Sequence, residues 1–587
     1  MVLPYLTPIN SKARKVQMQD KFLGLWNREN ADPGQFVYLR NMSSDEYPYL
    51  SPHKRHRICR TLTNCKAILG GEALSWVENG KLYFDGQEIC SVTSEHPQLV
   101  RMGAYLIVWP DKIIYNTHTG EQTSMDATKS YAGVTVRPCM LSGEEYTYTA
   151  SDTAPASPAA GAYWYNTQTG GFYQFLGGEW QGIDTVYSRL EGPDLGKPFQ
   201  DYDVVSISGF SYPDCNVEAA TVYGHGDDYI VIATGVFRDF EETQTVTITR
   251  SAPDMDFICE CGNRLWGCSS EKHEIYGSKL GDPTNWHSFL GISTDSYAAT
   301  VGSEGEFTGI STYMGYVHFW KENRCHRLYG TRPENFQLIE LPIRGVKKGC
   351  HMSLCIVNGI LYYVSRAGVM AFDGSTPVSV GEALGDVELE DAVAGAHKNK
   401  MYLTANVTRK GYYNMAEDAL TYVMDTSRGL WHAEEDVYKG YASTPEGDFA
   451  YYSLTGDFSS LNYLVLLDGE GKETKYDIPG IAADQDEFKW AAETGDNGQD
   501  SPNQKWIKRL TYRVKMDRGA KFYIDVMYNS DGNWQRALVY EAKSKRSVTL
   551  MMRAKRCDHF RLRYYGVGDV MVLSMAKSYE EGSERCV

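Results

Sequence analysis

Sustained 3.6-residue periodicity is scarce in this chain, and no stretch approaches the roughly 20 consecutive apolar residues that a membrane helix needs. Tyr105–Trp109, YLIVW, is short enough to read as a buried strand. The 13 cysteines are odd in number and irregularly spaced, which excludes a regular disulfide framework and fits a reducing compartment. No apolar run follows Lys12, Arg14 and Lys15, so no secretory signal is expected, and synthesis and folding in a cytoplasm fit. No P-loop, HExxH or GxSxG pattern occurs, which leaves those motif-defined chemistries without a foothold.

Basic residues are also sparse over most of the length. Residues 1–500 hold 40 Lys+Arg against 66 Asp+Glu, a net of −26, whereas residues 501–587 hold 18 against 9, a net of +9. An acidic body argues against nucleic-acid binding over most of the surface, because phosphate neutralisation needs clustered Lys and Arg. Net charge also serves solubility.

Aromatic rings and strand signals are abundant. Tyr alone supplies 42 residues, a side chain favoured in strands and at protein interfaces. At 587 residues the length suggests about three or four domains. Short β-branched and aromatic runs are bounded by Gly, Asn and Asp. A recurring turn-plus-strand unit begins at Asn263, Gly315, Asn358 and Asn399, with offsets of 52, 43 and 41 residues. That spacing fits propeller blades, each a small sheet that buries its faces against neighbours. Unrelated meanders or stacked sandwiches are the alternative. NGKLYFDG from Asn79 and the strand pair from Gly103 lie 24 residues apart, which suggests two hairpins of one blade. The best helical candidate is VELEDAVAGAHK, Val387 to Lys398.

The expected fold is therefore all-β: a β-propeller with an inserted small β domain and a C-terminal β-sandwich of jelly-roll-like type. The expected parts are an N-terminal segment with the first blades (1–140), an inserted small barrel or sandwich (141–250), the remaining blades (251–480) and the sandwich (481–587). The insert opens with an Ala/Ser/Pro-rich stretch and contains two aromatic strands between Tyr163 and Ile183. In the last module, alternation places Phe560, Leu562 and Tyr564 on one face and Arg561, Arg563 and Tyr565 on the other.

Candidate chemistry is thin, and no catalytic, cofactor-binding or metal-binding residue is expected. Cys259, Cys261 and Cys268 with His273 form the densest potential ligand cluster, but their spacing matches no usual zinc pattern and they read as buried structural cysteines. Cys350, His351 and Cys355 lack a third orienting group for a nucleophile–base pair. The pairs Glu144/Glu145, Glu241/Glu242 and Glu434/Glu435 read as solvated charge, since neighbours in a strand face opposite sides. NSDGNW, Asn529 to Trp534, reads as an Asp-Gly hairpin turn.

Two surfaces stand out instead. Lys543, Lys545, Arg546, Lys555 and Arg556, with Arg561 and Arg563 on the adjacent strand, form a candidate basic patch. It reads as a solvated face, a dock for an acidic neighbouring subunit, or a phosphate contact for passing DNA; docking is favoured over DNA because the body offers the complementary charge. Tyr163, Trp164, Tyr165, Phe172, Tyr173 and Trp180 form a candidate aromatic contact surface on the insert.

Three segments resemble the β-propeller proteins of bacteriophage tails and necks, known as tail nozzle, tail hub or packaged-DNA stabilisation proteins. They are Phe22 to Arg57, Asn263 to Gly302 and Lys545 to Glu584. The resemblance implies a structural, non-enzymatic virion protein assembled in the host cytoplasm, forming a homo-oligomeric ring that is often sixfold. Its implied partners are copies of itself, portal, adaptor or other tail proteins, and double-stranded DNA in transient, non-specific passage. An acidic lumen would let DNA slide without adhering. The alternatives are a receptor- or cell-wall-binding tail protein that stacks the insert's rings on sugars, and a propeller glycan hydrolase.

Overall fold

A computed structural model describes residues 15–183, 186–233, 237–409, 419–454, 460–469, 473–478, 488–498, 504–544, 546–552 and 555–581. The fold is all-β, a β-propeller with an inserted small β domain and a C-terminal β-sandwich. Among the described residues the helical elements are four 3-10 turns of three residues each. The chain divides into two compact units: the described parts of Met1–Ser91, Trp320–Cys325 and Pro342–Val587, and those of Val92–Phe319 and His326–Leu341.

In the first unit, Cys65–Leu69, Ser75–Glu78, Lys81–Phe84 and Gln87–Ser91 form one blade. Its hairpins turn on Asn79-Gly80 and Asp85-Gly86, where all four residues have positive φ. Asn-Gly and Asp-Gly tolerate that backbone, whose twist matches the flanking strands. Further blades run through residues 355–379 and 387–434. The blade Tyr438–Thr444, Gly447–Ser453, Leu461–Leu466 takes its fourth strand, Arg57–Thr63, from near the N-terminus, with Thr63 opposite Leu461 and Arg57 opposite Leu466. Leu62, Leu74, Trp76, Phe449, Tyr451 and Leu464 then bury one another between this blade and the one that follows in sequence. These sheets hide their apolar faces by stacking.

The second unit holds blades at residues 98–124 and 257–300, whose shared core includes Ile107, Trp109, Ile258 and Leu265. Another four-stranded sheet is formed by Gly309–Tyr313, Tyr316–Lys321, Arg324–Tyr329 and Gln337–Leu341. Tyr105–Trp109 is a strand with four fully buried residues. The segments from Asn79 and Gly103 belong to two different blades rather than to one, since Gln87–Ser91 completes the earlier sheet before Gln98–Met102 opens the next.

Between these blades lies the insert. Its eight-stranded sheet spans residues 127–250, and strands from both halves of it share one core that includes Val136, Leu190, Ile207, Ile232 and Ile248. A smaller sheet, Tyr148–Ser151, Tyr163–Asn166, Phe172–Leu176 and Glu179–Gly182, begins with a parallel pair.

The β-sandwich belongs to the first unit and consists of two five-stranded sheets. Tyr512, Phe522 and Tyr564 meet between them, with ring centroids 5.8–6.4 Å apart. Phe560, Leu562 and Tyr564 face this core, as alternation predicts. The N-terminus contributes a strand to each sheet, Lys15–Gln19 to one and Phe36–Arg40 to the other.

The helix expected over Val387 to Lys398 is instead the strand Val387–His397, paired with Lys400–Arg409. The register shifts between Glu390 and Val393, and Asp391 has φ +48°. A bulge inserts an extra residue, so the buried positions Leu389 and Ala392 fall three apart and imitate helical spacing.

Candidate functional site

Among the described residues the basic patch does not form as one cluster. Lys545 lies outside the described residues, as does the side chain of Arg546. Lys543 is exposed at one end of the strand Arg546–Met552, while Lys555 and Arg556 are exposed beyond the other. Seven extended residues separate the two groups by about 20 Å. Lys555 donates to Gln535 at 2.9 Å and its ammonium sits 5.8 Å from the Tyr528 ring.

The expected exposure is corrected for Arg561, whereas the Arg563 side chain stays 32% exposed. Arg561 is buried and bonded to Asp496, and Arg563 reaches Glu493 at 3.0–3.1 Å while stacking 4.1 Å from the Trp534 ring. The partner carboxylates arrive from Lys489–Thr494 and the loop after it, about 70 positions away in sequence. Both arginines are therefore paired with carboxylates of the sandwich, Arg561 buried and Arg563 a third exposed.

The outer face of the sandwich's first sheet offers a different surface. Four strands align across it, with Met18 opposite Ala576, Ala576 opposite Thr511, and Thr511 opposite Met551. Val16, Met18, Trp506 and Met551 are 66, 63, 51 and 57% exposed, values typical of polar rather than apolar side chains. Exposed Arg509 and Arg513 stand among them, with Arg556 opposite Trp506 in the ladder. Lys15–Gln19 is an edge strand, with no second partner strand among the described residues.

On the insert, the small sheet carries aromatic rings on both faces. Tyr163, Tyr165 and Phe172 pack inward with Tyr146 and Phe237, the Phe172 and Phe237 rings stacking at 4.3 Å. The opposite face carries Trp164, Tyr173, Phe175 and Trp180, with Trp164 stacked on Tyr173 at 4.9 Å and tilted against Trp180 at 5.5 Å. Trp164 is buried and anchored through Nε1 to Ser151; the other three are half-buried. The six aromatic residues thus split between a core and a partly open platform, because successive strand residues face opposite sides.

Two of the acidic residues expected in solvent are enclosed. Glu242 accepts N–H bonds from Gln244, Ser211 and Thr243, which hold its carboxyl down at about 2. Glu434 is 2% exposed, whereas its neighbour Glu435 is exposed and paired with Arg40. Burial pushes the Cys350 and Cys355 thiols up, the latter to about 12, which keeps it a thiol at neutral pH.

Glu434 belongs to a polar centre that the sequence reading missed. It ends the strand Leu430–Glu434, and its Oε2 lies 3.1 Å from His56 Nε2. The His53 and His56 rings stack 5.2 Å apart, just before the strand Arg57–Thr63. Phe488, Tyr402 and Tyr438 wall the two imidazoles with edge-on rings at 4.8–6.2 Å. Among the described residues, this is the one group of three whose potential metal-ligand atoms converge, all within 4.8 Å of one another. Cys259, Cys261, Cys268 and His273 do not gather in this way; Cys259 accepts from Thr312 at 3.7 Å, and Cys268 is buried among apolar side chains. Burial lowers His53; it also opposes charge on His56, which the Glu434 carboxylate nevertheless raises. The HxxH spacing of His53 and His56 is the one sequence signal that pointed here.

No known protein family matches this sequence, and no curated protein does. Solved structures that match in fold include an exo-β-1,3-galactanase from Phanerochaete chrysosporium, at 9% identity over 54% of this chain and 92% of that one, TM-score 0.20. The endosialidase of phage phi92 matches at 10% identity over 78% of this chain and 69% of that one, TM-score 0.23. PorZ, a surface component of the type-IX secretion system of Porphyromonas gingivalis, matches at 10% over 83% and 71%, TM-score 0.23. These comparisons overturn the non-enzymatic expectation. Glycan-cleaving enzymes stand among the matched structures.

Proposed function

We propose that the chain is a building block of a bacteriophage tail or neck that assembles into a ring with copies of itself. The reading takes its class from the resemblance of Phe22 to Arg57, Asn263 to Gly302 and Lys545 to Glu584 to phage propeller proteins. The observation that carries self-assembly is the outer sandwich face, where Val16, Met18, Trp506 and Met551 are exposed together among Arg509, Arg513 and Arg556. Apolar anchors ringed by arginines suit a docking surface. The complementary charge is at hand in the acidic residues 1–500 of a neighbouring copy, at net −26. In such a ring the acidic body would line the passage and repel the DNA backbone.

Negative-stain microscopy and mass photometry of the full chain test this reading. The expected result is a closed ring in low salt that falls apart in 1 M NaCl or on the double substitution Trp506→Asp, Met551→Asp. A monomer at tens of micromolar in low salt, with and without neighbouring tail proteins, would overturn it.

A second reading rests on the partly open ring platform of Trp164, Tyr173, Phe175 and Trp180, which suits stacking on sugar rings. Binding of the full chain to host cell wall, lost in Trp180→Ala, would favour it. Hydrolysis of a glycan panel would instead favour the hydrolase reading.

A further inference from the structure

We propose that His53, His56 and Glu434 form a binding site for one divalent transition-metal ion of the zinc class. Two imidazoles and a carboxylate are a donor set that zinc accepts, with the fourth position left to water.

The geometry prepares both histidines for this role. His53 Nδ1 lies 2.7 Å from the Lys54 carbonyl and His56 Nδ1 lies 2.9 Å from the Leu467 carbonyl. Each Nδ1–H donating to a backbone oxygen fixes the tautomer that leaves the Nε2 lone pair available to a ligand, the usual outer-shell arrangement of metal-binding histidines. The His56 Nε2 points at Glu434 across 3.1 Å. Bonds of 2.0–2.2 Å to a tetrahedral ion require the ligand atoms to stand roughly 3.3 Å apart, so the group, now within 4.8 Å, contracts modestly on binding. The ring wall of Phe488, Tyr402 and Tyr438 restricts water, which strengthens attraction between a dication and the Glu434 carboxylate.

Position gives the ion a purpose. His53 and His56 lie on the segment that leads into Arg57–Thr63, the N-terminal strand completing the blade with Leu461–Leu466, while Glu434 ends the preceding blade. An ion held by all three would tie the N-terminal segment to the propeller across 378 positions of sequence. The competing arrangement is a buried imidazolium–carboxylate pair in which a proton on His56 does the same work without metal.

The test uses the untagged full chain, stripped with chelator and dialysed. Titration with Zn2+ followed by elemental analysis is expected to give one tightly held equivalent per chain. Co2+ in its place should give the visible absorption of a tetrahedral centre with nitrogen and oxygen ligands. Saturating Zn2+ should raise the thermal midpoint by about 2 °C or more. His53→Gln and Glu434→Gln should each lose the equivalent and the Co2+ band. If either variant fails to fold, stoichiometry and Co2+ spectrum of the unaltered chain still decide. Less than a tenth of an equivalent bound at micromolar Zn2+ would overturn the proposal and leave the ion pair, as would full binding retained in both variants.

Discussion

Arg561 sends Nε and Nη2 to the two carboxylate oxygens of Asp496, at 2.5 and 3.2 Å, with both side chains a tenth exposed or less. A forked pair in this setting is a structural element of the sandwich. Substituting Arg561→Met would leave Asp496 enclosed without its cation, at a cost of about 3–5 kcal/mol. Urea denaturation followed by the sandwich's tyrosine and tryptophan signals should record that loss, with Arg561→Lys intermediate because a point charge cannot fork. An unshifted midpoint in the Met variant would mean that the pair is not enclosed.

The propeller blade that borrows Arg57–Thr63 makes a second expectation. Leu62 is 1% exposed in a core with Trp76, Phe449 and Leu464. Leu62→Ala should destabilise by about 2–5 kcal/mol, through lost transfer energy and the cavity left behind. Val539, 59% exposed, serves as the control, with Val539→Ala staying within about 0.5 kcal/mol.

A third concerns two blades of the first unit. A Cβ on Gly70 would stand 2.0 Å from the Ser443 carbonyl oxygen and 2.5 Å from its nitrogen. Both are backbone atoms of the strand Tyr438–Thr444, so the neighbour yields only by moving the strand. Gly70→Ala should therefore cost about 1–3 kcal/mol in thermal or chemical denaturation, although it adds a single methyl group.

The insert supplies a pH dependence. The Glu242 carboxyl is depressed from 4.5 to about 2 by N–H groups of Gln244, Ser211 and Thr243. A group lowered on folding stabilises fully above its unfolded value and loses that contribution as pH falls through its folded one. The advantage of the unaltered chain over Glu242→Gln should be constant above about pH 4.5 and shrink steadily toward pH 2. Acid titration of both proteins, read by fluorescence of the insert, checks this; a gap that widens with acid would contradict it.

Much of the fold was legible in the sequence because its signals are local. Asn79-Gly80 and Asp85-Gly86 mark hairpins through backbone preference alone, and the alternation of Phe560, Leu562 and Tyr564 fixes an inner face. The helix expected at Val387 failed for an equally local reason, since the bulge at Asp391 breaks the period of two. The basic patch failed differently. Alternation placed Arg561 and Arg563 off the core face, but it carries no information about Asp496 and Glu493, which the neighbouring segment brings to meet them.

The sequence by itself determined that this protein is built of short sheets, that the sheets recur at blade spacing, and that opposite charges are segregated along the chain. Period-two patterning, turn chemistry and composition are properties of adjacent residues, so they survive without knowledge of the whole. Only the tertiary structure decided which charges are exposed and which are enclosed, that residues 57–63 complete a blade begun near residue 438, and that His53 and His56 converge on Glu434. Such meetings depend on chain closure over hundreds of residues, where the burial of many apolar faces together, and no local preference, fixes which side chains are brought into contact.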